Sequence, residues 1–410
     1  MSFHRYRSLG FVSLVALLIV TAMSGCSETN VEVIDPEIEV ETDDSLPDGF
    51  VTGNRPLNPQ TSFRMPCPLR EIDAENGNPY FTPSGLPEGI QSIDNPKYVP
   101  VSNPTRLTPS EPVIVCEYDG QVRVFPIRIL LYHEIVNMCW ETDDGPKYSF
   151  LTYCPLVDAA VHFVHPFECY KTRGQTFGVS GALFNGNLVM YDRTGADRGG
   201  GLDWYVQLYG GGVFGTCTEV EPQITHMSWQ MVRRLYPEAE LLSEDTGVAI
   251  AEDYEYFDHV YWYHWRVGDF WFPLDLEDDR GVDRVKHVFG VLTPGGAKAY
   301  WTQGRDYVRN DTLGGYDVVV WNDSKFKSSA AFEPVVDGQS LTFSFLGREA
   351  HGLPLYVDDE TGSYWTFDGI AVKGPKAGKR LPKVYGFRVF WFAWAALYPE
   401  TELFIPDEES

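Results

Sequence analysis

The hydrophobic positions of the chain are concentrated in short runs that are rich in β-branched and aromatic residues. Runs of this kind predict β-strands when Gly, Pro, Asn or Asp residues bound them. The clearest runs are residues 122–126, 148–153, 187–191, 316–321 and 341–345. One predicted helix follows each group of strands, and this order favours an α+β fold whose sheets are mostly antiparallel.

The first of these predicted helices follows Thr225, which we expect to be its N-cap. Trp229, Val232 and Tyr236 then recur at helical spacing, and Pro237 is predicted to end the helix. We expect the Trp and Tyr side chains to anchor this helix on the sheet.

The segment around this helix has a counterpart later in the chain. Residues 235–241 and 397–403 are identical at six of seven positions, and Trp229 and Trp391 stand at the same distance before them. Further shared landmarks precede each helix in the same order: Thr176, Phe177 and Trp204 in the first half, and Thr342, Phe343 and Trp365 in the second. The sequence therefore predicts an internal duplication of a strand-rich unit that one helix closes.

The first 25 residues are typical of an export signal. A short positive stretch at residues 4–7 precedes an almost wholly apolar run at residues 9–20. Residues 22–26, Ala-Met-Ser-Gly-Cys, resemble a bacterial lipobox, in which the Cys26 thiol receives a diacylglyceryl group. We therefore expect a lipoprotein of the bacterial cell envelope, anchored to the membrane at Cys26 and facing the periplasm or the exterior. A soluble secreted protein and an uncleaved anchor are the alternatives.

Charge adds two expectations. The 410-residue chain carries 32 Lys and Arg against 58 Asp and Glu, a formal net charge of −26, and such a surface repels phosphate, so no nucleic-acid partner is expected. Nine of the acids lie within residues 28–48, which contain no Lys or Arg. Because this segment has little apolar surface to bury, residues 26–60 are predicted to be a disordered tether, which would reach roughly 30 Å from the membrane.

Between the two repeats lies a segment that is unusually aromatic. Residues 254–272 hold ten aromatic residues in nineteen positions. These rings either fill the seam between the repeats or line a cleft that binds a small molecule or a glycan. The predicted organisation is a signal peptide at 1–25, the tether at 26–60, a first repeat unit with an N-terminal extension at 61–242, an aromatic-rich connector at 243–283 and a second repeat unit at 284–405.

Four motifs occur in an order that is similar to a known family. They are Phe-Pro-Ile-Arg-Ile-Leu-Leu-Tyr-His-Glu-Ile-Val-Asn at 125–137, Leu-Thr-Tyr-Cys-Pro-Leu at 151–156, Thr-Phe-Gly-Val-Ser-Gly at 176–181 and Asn-Leu-Val-Met-Tyr-Asp-Arg at 187–193. This succession resembles the bacterial family catalogued as domain of unknown function 3179, from about residue 85 to residue 404. The resemblance implies no established activity. Some members carry a selenoprotein label, which implies that a sulfur or selenium atom matters in part of the family.

The chain departs from that family where the family usually has Cys-Pro-Leu-Cys, because Val157 stands in place of the second Cys. Cys154 therefore has no partner within the motif for dithiol chemistry or for a shared metal. Cys67 is a candidate for a distant partner. The cysteines other than Cys26 could pair in 15 ways; they are Cys67, Cys116, Cys139, Cys154, Cys169 and Cys217.

The best candidate for chemistry combines Cys154 with His133 and Asn137. An imidazole close to a thiol lowers the pKa of the thiol and activates it. His133 and Asn137 are four residues apart, so a helix would place them on one face, where Asn137 could orient His133. No metal or cofactor is predicted, since Asn137 replaces the second His of a His-Glu-x-x-His zinc site.

Three hypotheses about function follow. The first is a thiol-based redox protein centred on Cys154. The second is a non-catalytic lipoprotein that binds a small molecule or a glycan between the repeats. The third is a scaffold component of an envelope complex. A buried structural Cys154 would favour the second.

Overall fold

Short strands are the commonest elements of the described chain, as the runs of β-branched and aromatic residues predict. A computed structural model describes residues 59, 62, 81–83, 87–103, 105–164, 176–193, 204–209, 211–212, 219–220, 224–248, 270, 272–278, 280–348 and 352–406. Within these residues there are three helices, α1 (Ile127–His133), α2 (Trp229–Leu235) and α3 (Trp391–Leu397). None of them is long and apolar enough to cross a membrane.

The strands are described in two halves, residues 81–248 and residues 280–406. The first half contains β1 (Phe81–Pro83), β2 (Tyr98–Pro100), β3 (Pro112–Tyr118), β4 (Gln121–Pro126), β5 (Ile135–Trp140), β6 (Lys147–Cys154), β7 (Ala159–Val164), β8 (Phe177–Phe184), β9 (Asn187–Asp192), β10 (Trp204–Val206), β11 (Gly211–Gly212), β12 (Glu219–Val220), β13 (Ile224–Ser228) and β14 (Glu240–Leu242).

The second half contains β15 (His287–Thr293), β16 (Gly296–Trp301), β17 (Tyr307–Leu313), β18 (Tyr316–Asp323), β19 (Ser328–Phe332), β20 (Val335–Val336), β21 (Gln339–Ser340), β22 (Phe343–Arg348), β23 (Pro354–Asp358), β24 (Tyr364–Thr366), β25 (Ala371–Lys373), β26 (Gly386–Phe390) and β27 (Glu402–Phe404). Four predicted runs lie within β4, β6, β9 and β18. The fifth begins two residues early, since β22 starts at Phe343 and the N–H of Leu341 instead bonds to the carbonyl of Pro334.

One sheet in each half has the same strand order and directions. The first is ordered β13-β3-β4-β14-β2 and the second β26-β15-β16-β27. In each, a hairpin (β3–β4 or β15–β16) pairs antiparallel with one strand (β13 or β26) and parallel with another (β14 or β27). A helix connects the two strands that flank the hairpin. Helix α2 lies between β13 and β14 in the sequence, and α3 lies between β26 and β27. Nearly all other pairings are antiparallel, so the fold is strand-rich α+β.

Helices α2 and α3 begin in the same way. The N–H of Trp229 donates to the carbonyl of Glu111, and the N–H of Trp391 donates to that of Lys286. The predicted N-cap of α2 is wrong: Thr225 lies within β13, and Ser228 caps the helix by accepting from the N–H of Met231. Ser228 takes this role because it is the last extended residue before the helix and its hydroxyl reaches the first turn.

The two halves share their hydrophobic cores. Trp229 and Met231 of α2 pack in one cluster with Trp321 and Trp365 of the second half. In the same way, α3 packs in a cluster with Phe150 and other residues of the first half. Strand β13 also packs against β19, and β26 packs against β7. Each half therefore covers the helix of the other, and the described residues lie in one compact unit, 47–410.

Part of the aromatic connector lies inside this shared core. Phe270 and Phe272 stack at angles on Phe392 of α3, with ring centroids 4.5 and 6.2 Å away. A side chain at Gly186 would collide with the Phe272 ring, so this glycine allows the connector to pack on the first half. Other predictions concern residues outside the described part of the chain: Cys26, the tether apart from residue 59, Cys67, Cys169, Cys217, and most of the aromatic run, including Trp262, Trp265 and Trp271.

Candidate functional site

Cys154 is the last residue of β6 and begins a four-residue turn into β7. Its thiol is buried, with 1% of the residue exposed. The sulfur accepts a hydrogen bond from the N–H of Leu188 at 3.3 Å, and its S–H points to the carbonyl of Gly186 at 3.9 Å. Both partners belong to the β8–β9 hairpin, so the thiol lies in the interior where sheets of the first half meet.

The environment of this thiol opposes ionisation. Burial raises the pKa of Cys154 to about 12, and the nearby Glu134 carboxyl adds to this rise, while the N–H groups of Leu188, Val157 and Leu156 act in the opposite direction. Glu134 is itself buried, and burial raises its pKa to about 8. The ionisable side chain that acts most strongly on Cys154 is thus a carboxyl group and not an imidazolium.

His133 bonds to the backbone of another segment. It is the last residue of α1, fully buried, and its Nδ1 donates to the carbonyl of Gln91 at 2.6 Å. Burial lowers the pKa of His133, partly offset by the hydrogen bond to Gln91, so the ring is neutral. The contact attaches the segment 87–94 to the end of the helix.

The predicted helical face that joins His133 and Asn137 is wrong. Helix α1 ends at His133 because Glu134 adopts a left-handed φ of 57°, and Asn137 lies on β5. The β-branched Ile135 and Val136 favour the strand that follows. Residues 133–137 therefore span the end of α1 and the start of β5. The side chains of His133 and Asn137 have separate hydrogen-bond partners.

The Asn137 side chain bonds to both backbone groups of Phe177, an arrangement that we call a clamp. Its Nδ2 donates to Asp94 Oδ1 at 2.7 Å and to the carbonyl of Phe177 at 3.0 Å, and its Oδ1 accepts from the N–H of Phe177 at 2.9 Å. Arg193 binds the same segment through a two-bond contact with Glu88 and a bond to Asp94. Three residues from the family-like motifs, His133, Asn137 and Arg193, thus hold the segment 87–94 on the body.

A second polar cluster, which the sequence analysis missed, joins the two halves. Asp158, in the turn after Cys154, bonds to His287 Nε2 at 2.6 Å and to the Tyr153 hydroxyl at 2.5 Å. Arg388 of β26 lies 3.2 Å from the same carboxylate. The turn presents Asp158 by a left-handed φ of 48°. Its position four residues after Cys154 was a signal, but nothing in the sequence linked it to His287 or Arg388.

The charges in this cluster fix the proton positions. Burial would raise the pKa of Asp158, but the charge of Arg388 and the hydrogen bond from His287 outweigh it and hold that pKa well below its usual range. Burial and the charge of Arg388 lower the pKa of His287 to about 4. A neutral His287 therefore donates from Nε2 to an ionised Asp158, an arrangement that orients the ring.

A third buried cluster also crosses between the halves. Glu117 of β3 receives Arg380 at 2.5 Å, Lys383 at 2.9 Å and the Tyr236 hydroxyl at 3.0 Å. Lys383 also donates to the Thr225 hydroxyl at 2.8 Å. The Glu117 carboxylate thus pairs with two cations of the second half, and these contacts join the second half to the first.

The described part of the chain contains neither a disulfide nor a cluster of side chains suited to a metal ion. Cys116, Cys139 and Cys154 are free thiols there. No group of three or more His, Cys, Asp or Glu side chains in those residues is arranged to hold a metal ion.

Comparison with known proteins identifies the family of the chain. No curated protein and no solved structure matches the chain significantly. The sequence profile described as "Protein of unknown function (DUF3179)" matches residues 87–401. This match begins at the segment that His133, Asn137 and Arg193 hold, and it ends just after α3. Since it covers well over half of the sequence, the chain belongs to the DUF3179 family, as the order of its four motifs predicts.

Proposed function

We propose that this chain is a membrane-tethered lipoprotein of the bacterial cell envelope that acts by binding rather than by thiol catalysis. The observation that carries the proposal is the burial of Cys154, whose sulfur is occupied by the N–H of Leu188. A thiol with a pKa near 12 is harder to ionise than a free thiol by about 4 kcal/mol. A nucleophilic or redox cysteine needs the thiolate, and this site disfavours it.

The other two candidate catalytic residues support the same conclusion. His133 bonds to Gln91 and Asn137 bonds to Asp94 and Phe177, so both side chains serve to hold backbone segments. Thiol redox chemistry at Cys154 would require the β8–β9 hairpin to open and His133 to leave its partner. That hypothesis stays a prediction, and the experiment below decides between the two.

A body built by internal duplication is part of the proposal. The shared strand order of the two central sheets supports it, as do the matching starts of α2 and α3. Binding proteins with two related halves commonly place the ligand at the seam. The aromatic connector at 243–283, of which Phe270 and Phe272 pack on Phe392 of α3, is the candidate surface for a small molecule or a glycan, or for a protein partner in an envelope complex.

The anchor rests on the lipobox-like residues 22–26 and on the acidic tether that follows them. If Cys26 is lipidated, the full-length protein sediments with membranes after export, and Cys26→Ser appears in the soluble envelope fraction. Cys139→Ser serves as the matched control, since Cys139 lies on β5 of the body and its loss should leave the protein on membranes. A Cys26→Ser protein that still sediments with lipid would rule out the lipid anchor.

The absence of thiol chemistry at Cys154 is tested by thiol–disulfide exchange with oxidised glutathione. The full chain, purified in detergent, and its Cys154→Ala variant should form mixed disulfides at the same rate, since a buried thiol contributes nothing. Peptide mass spectrometry assigns each adduct to its cysteine. A rate that falls more than tenfold in Cys154→Ala, with the adduct on Cys154, would establish the redox protein instead.

A further inference from the structure

The two central sheets differ at one edge. Strand β14 of the first half is covered by β2, while the corresponding strand β27 is the last strand of its sheet among the described residues. The two strands correspond closely. Glu240 of β14 lies opposite Arg123 and bonds to it at 3.1 Å, and Glu402 of β27 lies opposite Lys298 and bonds to it at 3.1 Å. The second half thus has an open strand edge where the first half has a covered one.

The pairing of β14 with β2 shows which groups such an edge offers. The C=O of Ala239 accepts from the N–H of Val101 at 3.0 Å. The N–H of Ser243 donates to the C=O of Lys97 at 2.9 Å. Because alternate residues of a strand face the same neighbour, Leu241 also directs its N–H and C=O to β2.

Leu403, which corresponds to Leu241, likewise faces away from its own sheet. The N–H of Leu292 on β15 bonds to the C=O of Tyr385, on the side of β26. Residue 291 therefore faces β16 and bonds to Lys298, so the next residue of β16, Ala299, faces β27. Ala299 lies opposite Leu403 and bonds to the two neighbours of that residue. The N–H and C=O of Leu403 are therefore directed outward.

The outward positions of β27 are Thr401, Leu403 and Ile405. The C=O of Thr401 accepts from Arg280 Nη1 at 3.0 Å, so a side chain takes the place of the first N–H of β2. The outward N–H and C=O of Leu403 and the N–H of Ile405 have no partner among the described residues. A row of three backbone groups is therefore available to another strand.

The side chains at this edge are less covered than those of β14. Leu241 and Leu242 are 3% and 1% exposed, and β2 packs in the same clusters. Leu403 is half-buried and Ile405 is 54% exposed. Strand β14 is as short as β27, three residues, and still pairs with β2, so the length of β27 does not prevent pairing.

The connector does not supply the missing strand. Residues 273–275 stand as far before β15 as β2 stands before β3, but they form no strand. The N–H of Asp275 instead donates to Asn185 Oδ1 at 2.8 Å, and the neighbouring Phe272 packs on Phe392 of α3. This segment is therefore held on the first half and on α3, which leaves β27 uncovered.

The surroundings of the edge carry a net negative charge. Three cations near the strand are already paired with three acids: Arg280 with Asp278, Lys298 with Glu402, and Arg309 with Asp311. The sequence adds Glu400 before the strand and Asp407, Glu408 and Glu409 after it. A second copy added antiparallel would bring its own acids opposite these, which is unfavourable. The same charges favour a strand with a cation at each end.

We infer that β27 binds an extended segment of a partner protein, which adds to the sheet as an antiparallel strand. The segment carries Lys or Arg on both sides of β-branched or aromatic residues. Its backbone bonds to Leu403 and Ile405, as β2 bonds to β14, and its side chains cover these two residues. Main-chain bonds supply affinity in this mode of recognition, and the flanking charges select the partner. The inference requires neither a lipid at Cys26 nor a ligand on the aromatic connector.

The probe is a fluorescein-labelled peptide, Lys-Lys-Val-Tyr-Val-Tyr-Val-Lys-Lys, titrated with the full chain in detergent at physiological ionic strength. It should bind with a dissociation constant below about 100 μM. Replacement of its Lys residues by Glu should weaken binding by about tenfold or more. Absence of saturable binding by the Lys peptide would overturn the inference.

Leu403→Pro separates pairing at the edge from general attraction to an acidic protein. Pro is tolerated on an edge strand where its nitrogen faces solvent, so the fold should persist while the outward N–H is lost. Binding of the Lys peptide should weaken by about tenfold, and Leu403→Val, which keeps the N–H, should bind like the wild type. If Leu403→Pro does not fold, Ile405→Pro with Ile405→Val as its control removes the other outward N–H. Unchanged binding in the Pro variants would place the peptide elsewhere and overturn the inference.

Hydrogen exchange shows whether the edge is open in the free protein. The Leu403 amide should exchange about a hundredfold faster than the Leu241 amide, which β2 protects, and should slow when the Lys peptide is added. Slow exchange at Leu403 in the free full chain would mean that another segment of this chain or a second copy already covers β27. Either cover would overturn the partner segment, and sedimentation analysis tells the two apart.

Discussion

Asn137 and Asn310 make the same pair of hydrogen bonds in the two halves of the body. Asn137 donates to the carbonyl of Phe177 at 3.0 Å and accepts from its N–H at 2.9 Å. Asn310 donates to the carbonyl of Phe343 at 2.8 Å and accepts from its N–H at 3.0 Å. Because Asn310 does this with no cysteine beside it in sequence, the clamp is a feature of the fold, and Asn137 serves the same purpose.

This relationship predicts the effect of Asn137→Ala. The substitution leaves the N–H and carbonyl of Phe177 without partners in the interior and removes the bond to Asp94, so unfolding should become easier by about 2–4 kcal/mol. Asn310 is exposed, so water can replace its side chain, and Asn310→Ala should cost about 1 kcal/mol. Urea denaturation of both variants measures the two costs.

The same pair of variants separates a clamp from a catalytic role. If Asn137 oriented His133 for catalysis, Asn137→Ala would retain its stability and lose reactivity at Cys154. An unchanged urea midpoint for Asn137→Ala would therefore contradict the clamp. Hydrogen exchange at the Phe177 amide should speed up in Asn137→Ala and remain slow in Asn310→Ala.

Stability should fall in acid because His162 is buried and neutral. Burial, with a smaller effect of Arg123, lowers the pKa of His162 to about 3 from an ordinary value of 6.5. Below pH 6.5 the unfolded chain takes up a proton that the folded chain refuses, so stability is lost as the pH falls from 6.5 towards 3. Between pH 7 and pH 5 this costs about 2 kcal/mol. His162→Leu should remove that part of the pH dependence.

The measurement is the free energy of unfolding in urea at pH 7 and pH 5 for the wild type and for His162→Leu. The drop between the two pH values should be smaller in the variant by about 2 kcal/mol. Equal drops would mean that His162 is protonated in the folded protein as readily as in the unfolded chain.

Glu134 should act in the opposite sense at alkaline pH. Its folded pKa of about 8 lies above the ordinary value of 4.5, so the folded chain holds a proton that the unfolded chain releases. Stability from this residue is complete below pH 4.5 and is lost as the pH rises through 8. From pH 6 to pH 8 the loss is about 2 kcal/mol, and Glu134→Gln should abolish it. Parallel pH curves for the two proteins would contradict the buried, protonated carboxyl.

The sequence predicted the strand-rich fold and the family from local features that need no distant partner. Runs such as residues 148–153 carry the period and composition of strands, and the structure has β6 there. The N-cap of α2 was missed because both Thr225 and Ser228 are good capping residues. Only the pairing of Thr225 with Val115 on β3 decides between them, and that pairing is not local.

The candidate site was harder to predict for the same reason. Cys154, His133 and Asn137 carry side chains that suit thiol chemistry, but their roles depend on where Leu188, Gln91 and Phe177 lie. The contact of Asp158 with His287 joins the two halves, and no spacing along the chain announces it. A left-handed residue at Glu134 likewise gives no sequence signal, although it separates His133 from Asn137.

The central claim is that the Cys154 thiol is buried and takes no part in chemistry. Cys139 provides an internal control, since it is also free but lies partly exposed on β5. The decisive measurement is the rate of alkylation by iodoacetamide at each cysteine of the native full chain from pH 6 to pH 9, resolved by peptide mass spectrometry.

Cys154 should be modified at least a hundredfold more slowly than Cys139 at every pH, and both should react alike once the chain is unfolded in urea. That result would make Cys154 a structural residue and would favour binding over thiol chemistry as the role of the protein. Rapid modification of native Cys154 with an apparent pKa below 8.5, raised by His133→Ala, would contradict the account and establish an activated thiol.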